Sequence, residues 1–290
     1  MKLAHDLPVE VVSADSRQII KYLDIGTAKP TQAEQAVVRF HLLDLIEPGE
    51  RYSAFRFIDD ADRAIGAILS AGHIPVVVGG TGLYLRALTD GVVEIEQDRP
   101  EIRERLEQEM EQSGPAAMHH RLTEIDPSEA ARIHPHNRVR VIRALEIWEL
   151  TGQPKSALAA SGAYKKSRYE YRTYCLQPAR DRLYEAIDRR VDEMMRSGWL
   201  QEVELLVRRG LGPTLRKANV IGYDELLDFV ENRCDLAETV NMIRQNTRRY
   251  AKRQMTWFRN QIEGYVAVSP DLLETELRTF LRTWPGAVKT

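Results

Sequence analysis

Cysteine is scarce in this sequence: Cys175 and Cys234 are the only two in 290 residues. Two such residues cannot make a disulfide framework and show no metal-ligand spacing, so the chain reads as a protein of a reducing cytoplasm. Long apolar runs are lacking too. No stretch of about eighteen apolar residues occurs, which excludes a membrane-spanning helix, and the opening residues lack the basic-then-apolar pattern of a secretion signal. A soluble, cytoplasmic protein with no membrane partner is expected. Charge of neither sign is in excess: 41 Lys and Arg stand against 43 Asp and Glu, a net charge of −2. That balance excludes a uniformly basic chain, but nucleic-acid binding depends on clustered cations, which a total does not reveal. Internal repeats and low-complexity linkers are also missing.

What is present is a chain that is 43% hydrophobic, enough for a full-sized core in one elaborated domain or two small ones. "PVEVVSADS" and "HIPVVVGGTG" are β-branched runs ending in polar or glycine turns, as buried parallel strands do. Between them "SAFRFIDDADRAIGAILSAG" has helical spacing and closes on Gly72. Strand, helix, strand predicts an α/β sheet. From Glu94 to about Lys165 the sequence turns charged and helical with no convincing strand, which predicts a helical insertion. "YRTYCLQP" returns to strand, "RDRLYEAIDRRVDEMMRSG" to helix with Gly198 as its stop, and "GYVAVSP" to a last strand. The expected organisation is an α/β core of residues 1–93 and 166–270, an insertion of residues 94–165 and a helical tail of residues 271–290.

Several stretches could carry chemistry. Asp15 falls where a buried strand ends, the edge at which α/β sheets collect ligands, so it could be a general base or a magnesium-sphere carboxylate; it could equally cap a helix. In "VVVGGTG", Gly79 and Gly80 allow close backbone approach, and Thr81 can cap a helix or donate to an anion. "DIGTAKPT", with Gly26, Thr27 and Lys29, is a second loop that could meet phosphate, or an ordinary turn. In "RLYEAIDRRVDEMM" the stripe Leu183, Ile187, Val191, Met194 takes in Arg190, whose guanidinium would then need an anion: a structural carboxylate or a substrate diphosphate. The pairs His119–His120 and His134–His136 lack carboxylate or cysteine companions in sequence, and no metal site is identified.

The densest feature is "NTRRYAKRQMTWFR". As a helix it places Arg249, Arg253 and Thr256 on one side with Arg248 and Lys252 beside them, while Tyr250, Trp257 and Phe258 can anchor it. Such clustering suits phosphate contact, with Thr247 and Gln254 for finer hydrogen bonds. Arg138, Arg140 and Arg143 form a second cationic patch. A charge run is more often a solvated helix face, so composition alone leaves both readings open.

In order, "SADSRQIIKYLDIGTAKPT", "HLLDLIEPGERYSAFRFIDDA", "IPVVVGGTGLYLRAL", "RIHPHNRVRVIRALEIWELTGQP", "RRVDEMMRSGWLQEV", "VIGYDEL" and "TRRYAKRQMTWFR" resemble the motif series of the tRNA dimethylallyltransferase (tRNA isopentenyltransferase) family, from about residue 7 to residue 260. The resemblance implies a P-loop NTPase-like parallel sheet flanked by helices, with a helical insertion that contacts tRNA. It implies transfer of a dimethylallyl group from dimethylallyl diphosphate to N6 of the adenine 3′ of the anticodon, in tRNAs reading codons that begin with U. The base would be flipped out to react. Mg2+ would arrive with the diphosphate, and a monomer is expected.

Residue by residue, Asp15 resembles the carboxylate that accepts the amine proton, Thr81 the threonine of the Gly-Gly-Thr turn and Arg190 the diphosphate arginine. Ser16, Arg17, Gln18, Arg103, the run Val139, Arg140, Val141, Ile142, Arg143, the run Asn219, Val220, Ile221, Gly222, Tyr223, Asp224, and the run Asn246, Thr247, Arg248, Arg249, Tyr250, Ala251, Lys252, Arg253 match stretches that contact tRNA. Ile20, where the family usually has tyrosine, and Asn219 and Asp224, where it often has a basic residue, depart from the pattern. Residues 1–290 also contain no glycine-rich loop of the form G-P-T-x-x-G-K-[ST], from which little prenyl transfer but retained tRNA affinity is expected. With the first strand missing as well, an uncovered sheet edge is expected. Two other classes remain: a P-loop nucleotide kinase, which should show that loop and a nucleotide lid where the sequence offers neither, and a non-catalytic RNA-binding relative, which would keep both basic patches and need no diphosphate site.

Overall fold

The computed structural model describes residues 2–91, 99–161 and 169–283. The chain forms two compact units, Met1–Arg86 with Glu170–Thr290, and Ala87–Tyr169. The domain limits read from sequence at 93/94 and 165/166 and the end of the tail fall outside the described residues.

The first unit is built on parallel strands. After a short 3-10 turn (Lys2–His5) come β1 (Val9–Ser13), α1 (Gln32–Val37), β2 (Phe40–His41), α2 (Ala54–Ser70), β3 (Ile74–Val78) and the start of α3 (Gly82–Asp90). The strand order is β2-β1-β3, all parallel, with Val9 opposite Ile74 and Ser13 opposite Val78. β1 lies between the other two and buries four of its five residues. Among the described residues β3 lies at one edge of the sheet, and its Val78 is 53% exposed, unusual for a β-branched residue of a parallel strand. Thr31 and Glu34 cap α1 reciprocally. Ser53 caps α2, which turns Phe57, Ile58, Ala61, Ala64, Ile65 and Ile68 inward and ends before Gly72 at φ +76°.

The second half of this unit contributes helices and a separate parallel pair. The insertion's four helices intervene first in chain order: α4 (Pro100–Ile125), α5 (Pro127–Ala130), α6 (Arg138–Thr151) and α7 (Lys155–Ala160). Then follow β4 (Tyr174–Leu176), α8 (Arg180–Arg196), α9 (Trp199–Arg208), α10 (Gly212–Ala218), α11 (Tyr223–Val230), α12 (Leu236–Gln261), β5 (Val266–Val268) and α13 (Leu273–Thr283). β4 and β5 pair with each other. Trp199, Val203, Leu206, Tyr223, Leu226 and Ile243 meet Ile19, Ile20 and Leu23 in one apolar cluster, so the chain just after β1 is seated on α9, α11 and α12.

In the unit Ala87–Tyr169 every described element is helical. α4 breaks at Gly114, φ +80°, where Pro115 restarts it, and its two halves pack Leu106, Met110, Met118 and Leu122 against Val141, Ile142 and Leu145 of α6. β2 is among the elements the sequence did not announce. At two residues, in "RFHLLD", it is too short for an alternation to register.

Candidate functional site

β1 ends at Ser13, and the next residues make the turn that carries the sequence's first candidate. Asp15 Oδ1 accepts the Arg17 backbone N–H at 2.8 Å, while Oδ2 holds no hydrogen bond in the described structure. The neighbouring edge strand returns the second candidate to the same place. Thr81 N–H donates to the Ala14 carbonyl (3.2 Å), Thr81 Oγ1 accepts the Ser16 N–H (2.8 Å) and lies 3.2 Å from Ser16 Oγ. Two loops 65 residues apart in sequence thus form one platform. Two glycines make it possible. A Cβ on Gly79 would sit 2.1 Å from the Ala14 carbonyl oxygen, and one on Gly80 would sit 2.3 Å from Gln254 Nε2.

That second contact ties the basic helix to the platform. Gln254 of α12 donates to the Gly80 carbonyl at 2.9 Å, and Trp257 packs on Gly82. Burial first, and the Asp15 carboxylate next, push the Tyr250 phenol above its usual range. Arg249, Lys252, Arg253 and Thr256 are exposed, as the helical reading placed them. Among the described residues Arg249 reaches the Asn246 amide oxygen (3.4 Å) and Arg253 lies 5.8 Å over the Tyr250 ring, and neither they nor Lys252 hold a carboxylate there. Two residues of this helix are engaged internally, and one expectation for it needs correction. Arg248 is forked onto Asp188 of α8 and is already neutralised. Asn246 donates to Glu225 (2.7 Å). Tyr250 is 39% exposed and does not anchor the helix, a task left to Trp257 and Phe258.

Arg190 also needs correction. Ile187 and Val191 are buried as the stripe required, but Arg190 itself is exposed, about 100° round the helix from Val191. It has no carboxylate partner among the described residues, so the anion that burial seemed to demand is not supplied by the chain.

The "DIGTAKPT" loop is saturated from within. Glu202 of α9 accepts the backbone N–H groups of Asp24 (3.0 Å), Ile25 (2.8 Å) and Gly26 (3.4 Å), and the Tyr223 hydroxyl at 2.5 Å. Lys29, its side chain 4% exposed, donates to Asp24 and Asp44 at 2.6 Å each and to the Ile20 carbonyl. A nest that could have held phosphate holds a carboxylate instead. Gln18 is likewise internal: its amide donates to the Thr27 and Ala28 carbonyls and accepts from Ser13.

Other residues matched to RNA-contacting stretches divide by burial. Val220 (4% exposed), Gly222 and Tyr223 (0%) are core, while Asn219, at φ +47°, is exposed beside the Arg17 guanidinium, which donates to the Ala218 and Asn219 carbonyls. Ile221 is half-buried. Burial raises the Asp224 carboxyl above its usual range. Thr247 and Ala251 are half-buried on α12. Within the insertion, Val141 (0%) and Ile142 (4%) are core and Val139 is 66% exposed. Arg140 faces Glu129 (3.7 Å), Arg143 binds Glu146 (2.8 Å), Arg138 faces Glu111 (3.9 Å) and Arg103 binds Glu107 (2.9 Å). Sequence reasoning missed Tyr84, Tyr52 and Lys217. With Arg17 they line a cavity of about 280 Å³, and nothing in their spacing marks them.

Comparison with known proteins agrees with the motif order. Residues 18–261 match the model of the IPP transferase family. The chain is 45% identical to tRNA dimethylallyltransferase 1 of Pelobacter propionicus, covering 96% of this chain and 90% of that one. Among solved structures it resembles the full-length tRNA isopentenylpyrophosphate transferase of Bacillus halodurans (38% identity, 97% and 89% coverage, TM-score 0.66). It also resembles a eukaryotic dimethylallyltransferase described as acting on tRNA (26% identity, 97% and 73% coverage, TM-score 0.79). The platform joining Asp15 to Thr81 under a cationic helix is therefore part of a chain that belongs to the IPP transferase family.

Proposed function

We propose that this protein transfers the dimethylallyl group of dimethylallyl diphosphate to N6 of an adenosine in tRNA, the one 3′ of the anticodon in tRNAs that read codons beginning with U. The observation that carries the reading is the carboxylate at Asp15. Its Oδ2 is unoccupied on a turn that Thr81 fixes, beside a helix whose outward cations have no carboxylates. An aromatic exocyclic amine is a weak nucleophile, so it must be oriented and must lose a proton as it attacks. N6 forms a bond to C1 of the allyl group, the C1–O bond to diphosphate breaks, and the N6 proton passes to Asp15 Oδ2. Thr81 acts through Ser16, holding the main chain that aims Asp15.

Diphosphate departs with growing negative charge, which exposed, unpaired Arg190 is free to meet. Magnesium bound with the diphosphate would supply further neutralisation; among the described residues no cluster of His, Cys, Asp or Glu could hold it on its own. Arg249, Lys252 and Arg253 hold phosphates of the anticodon stem-loop. The protein works as a cytoplasmic monomer.

The test is transfer of label from dimethylallyl diphosphate to an anticodon stem-loop. Stem-loop affinity is measured alongside, and we expect both binding and transfer. Binding without transfer would mark an RNA-binding relative instead of an enzyme.

A further inference from the structure

α12 is buried along only part of its length. Thr239 and Ile243 are its buried residues, and Ile243 joins Val191 of α8 in the apolar cluster. From Arg244 to Gln261, a stretch that includes the cationic segment, no residue is buried. A helix is ordinarily placed by packing its apolar face, so this half takes its position from specific ties. Gln254 and Trp257 hold its far end to the turn at Gly80–Gly82, and Asn246 donates to Glu225 of α11 (2.7 Å). Two further ties go to α8.

Arg248 Nε donates to Asp188 Oδ1 at 3.1 Å and a second guanidinium nitrogen donates to Oδ2, a fork that fixes direction as well as distance. The same guanidinium lies over the Tyr184 ring at 5.3 Å, one turn earlier on α8. One turn later, Asp192 takes Arg244. Rungs one turn apart on both helices leave α12 little freedom to slide or roll on α8. The two helices carry different parts of the chemistry. Arg190 lies between Asp188 and Asp192 on α8, while α12 carries Arg249, Lys252, Arg253 and the bond to the turn that presents Thr81. All of these belong to the unit formed by Met1–Arg86 and Glu170–Thr290. The forked side chains are 34% and 37% exposed, and ion pairs so placed add little to overall stability. What this one can set is geometry.

We propose that Asp188 is a positioning residue for prenyl transfer: through Arg248 it holds the unburied half of α12 against the helix of Arg190, and so sets where the RNA-bound adenosine lies relative to the diphosphate. The proposal rests on the tRNA prenyl-transfer reading above. Asp188 acts through Arg248 and not on either substrate. A misplacement of about 1 Å between reacting groups can lower a rate about a hundredfold. Loss of the fork should therefore be felt in the transfer step, although both substrates still bind.

The test follows single-turnover transfer of label from dimethylallyl diphosphate to an anticodon stem-loop, with the full chain in excess over RNA, so that the rate constant reads the bound complex and not the fraction of active protein. Asp188→Ala should lower that constant about tenfold to a hundredfold. Stem-loop affinity, the half-saturating concentration of dimethylallyl diphosphate and the urea unfolding midpoint should stay near wild type. Asp188→Glu, which keeps a carboxylate within reach of Arg248, should retain most of the rate. Asp271→Asn breaks a pair that α8 makes away from α12, Arg182 with Asp271 at 3.0 Å, and should leave the rate unchanged. A wild-type rate in Asp188→Ala overturns the proposal, and so does an equal loss in Asp271→Asn, which would mark a general loosening of α8. A rate loss matched by lost stem-loop affinity would make Asp188 a support for RNA binding alone, which also overturns it. If Asp188→Ala steepens the salt dependence of stem-loop binding at an unchanged rate, the carboxylate only screens Arg248 from phosphate, and the proposal again fails. Absence of transfer by the wild type would sink the prenyl-transfer reading, and this proposal with it, before any variant is compared.

Discussion

Two basic helices, α6 in one unit and α12 in the other, look alike in sequence and differ in what their cations already hold. On α6, Arg138, Arg140 and Arg143 each face a carboxylate, Glu111, Glu129 and Glu146. On α12 the cations divide along the helix. Arg244 and Arg248 are taken by Asp192 and Asp188 of α8, one helical turn apart on both partners, while Arg249, Lys252 and Arg253 have no carboxylates among the described residues. A cation count treats these as equal patches. An arginine that must give up an internal partner gains less from a phosphate than one that gives up only water, so pairing separates positions that composition cannot.

The same contrast separates two loops of the first unit, and there the largest effect is expected. Asp15 keeps an oxygen free, whereas Asp24 is bound to Lys29 and its loop is saturated by Glu202. Asp15→Asn should lower the rate of prenyl transfer about 10²–10⁴-fold with stem-loop affinity nearly unchanged. Asp24→Asn should leave both close to wild type. Single-turnover transfer alongside equilibrium binding checks the pair, and equal losses in the two variants would erase the distinction.

The helices supply the next effect, in RNA affinity. Replacing Arg249, Lys252 and Arg253 together by Ala should flatten the dependence of log K on log salt by about 2–3 units, the counterions released by three phosphate contacts. The α6 triple Arg138, Arg140 and Arg143 to Ala should flatten it by about 1 or less. Titrations at several salt concentrations read both slopes; the larger change on α6 would reverse the comparison.

How far the sequence revealed these differences depends on how local their causes are. β1, β3, α2 and the helical insertion followed from periodicity and glycine stops, because neighbouring residues decide them. The Asp15 turn was visible as polar residues at a strand end. The pairing of Arg248 with Asp188, 60 residues away, was not. Nor was the bond from Gln254 to Gly80, which spans 174 residues and which a side chain at Gly80 would displace. Arg190 was misread because a helical stripe has a margin, and a residue 100° from its centre can lie on either side of it. The Tyr84 cavity left no trace, since its walls come from four separate segments.

A smaller effect, on stability alone, tests whether the saturated loop is structural. Glu202→Gln keeps the shape but weakens three backbone contacts and the Tyr223 bond. A loss of about 1–3 kcal/mol in denaturant unfolding is expected, with the RNA salt slope unchanged. A changed slope would mean that the loop meets RNA after all.

The smallest effect concerns the two carboxylates of one strand and its exit. Glu10, on β1, is 7% exposed and bridges His41 Nε2 and His73 Nδ1 at 2.5 Å each, with Arg39 at 3.9 Å; Asp15, just past the same strand, is left half open. Burial would raise the Glu10 carboxyl, but the two histidine hydrogen bonds and their charge outweigh it, and the net shift is downward. A carboxyl with a lower pKa folded than unfolded adds stability that is fully present above its unfolded value and is lost as pH falls through its folded value. Glu10→Gln should therefore cost about 1 kcal/mol at pH 7, and the gap from wild type should close as pH drops below about 4. Urea unfolding at both pH values measures it. A gap as large below pH 4 as at pH 7 would show that the histidines do not stabilise the charged form of Glu10, and the contrast between a strand's tied carboxylate and its free one would lose its physical basis.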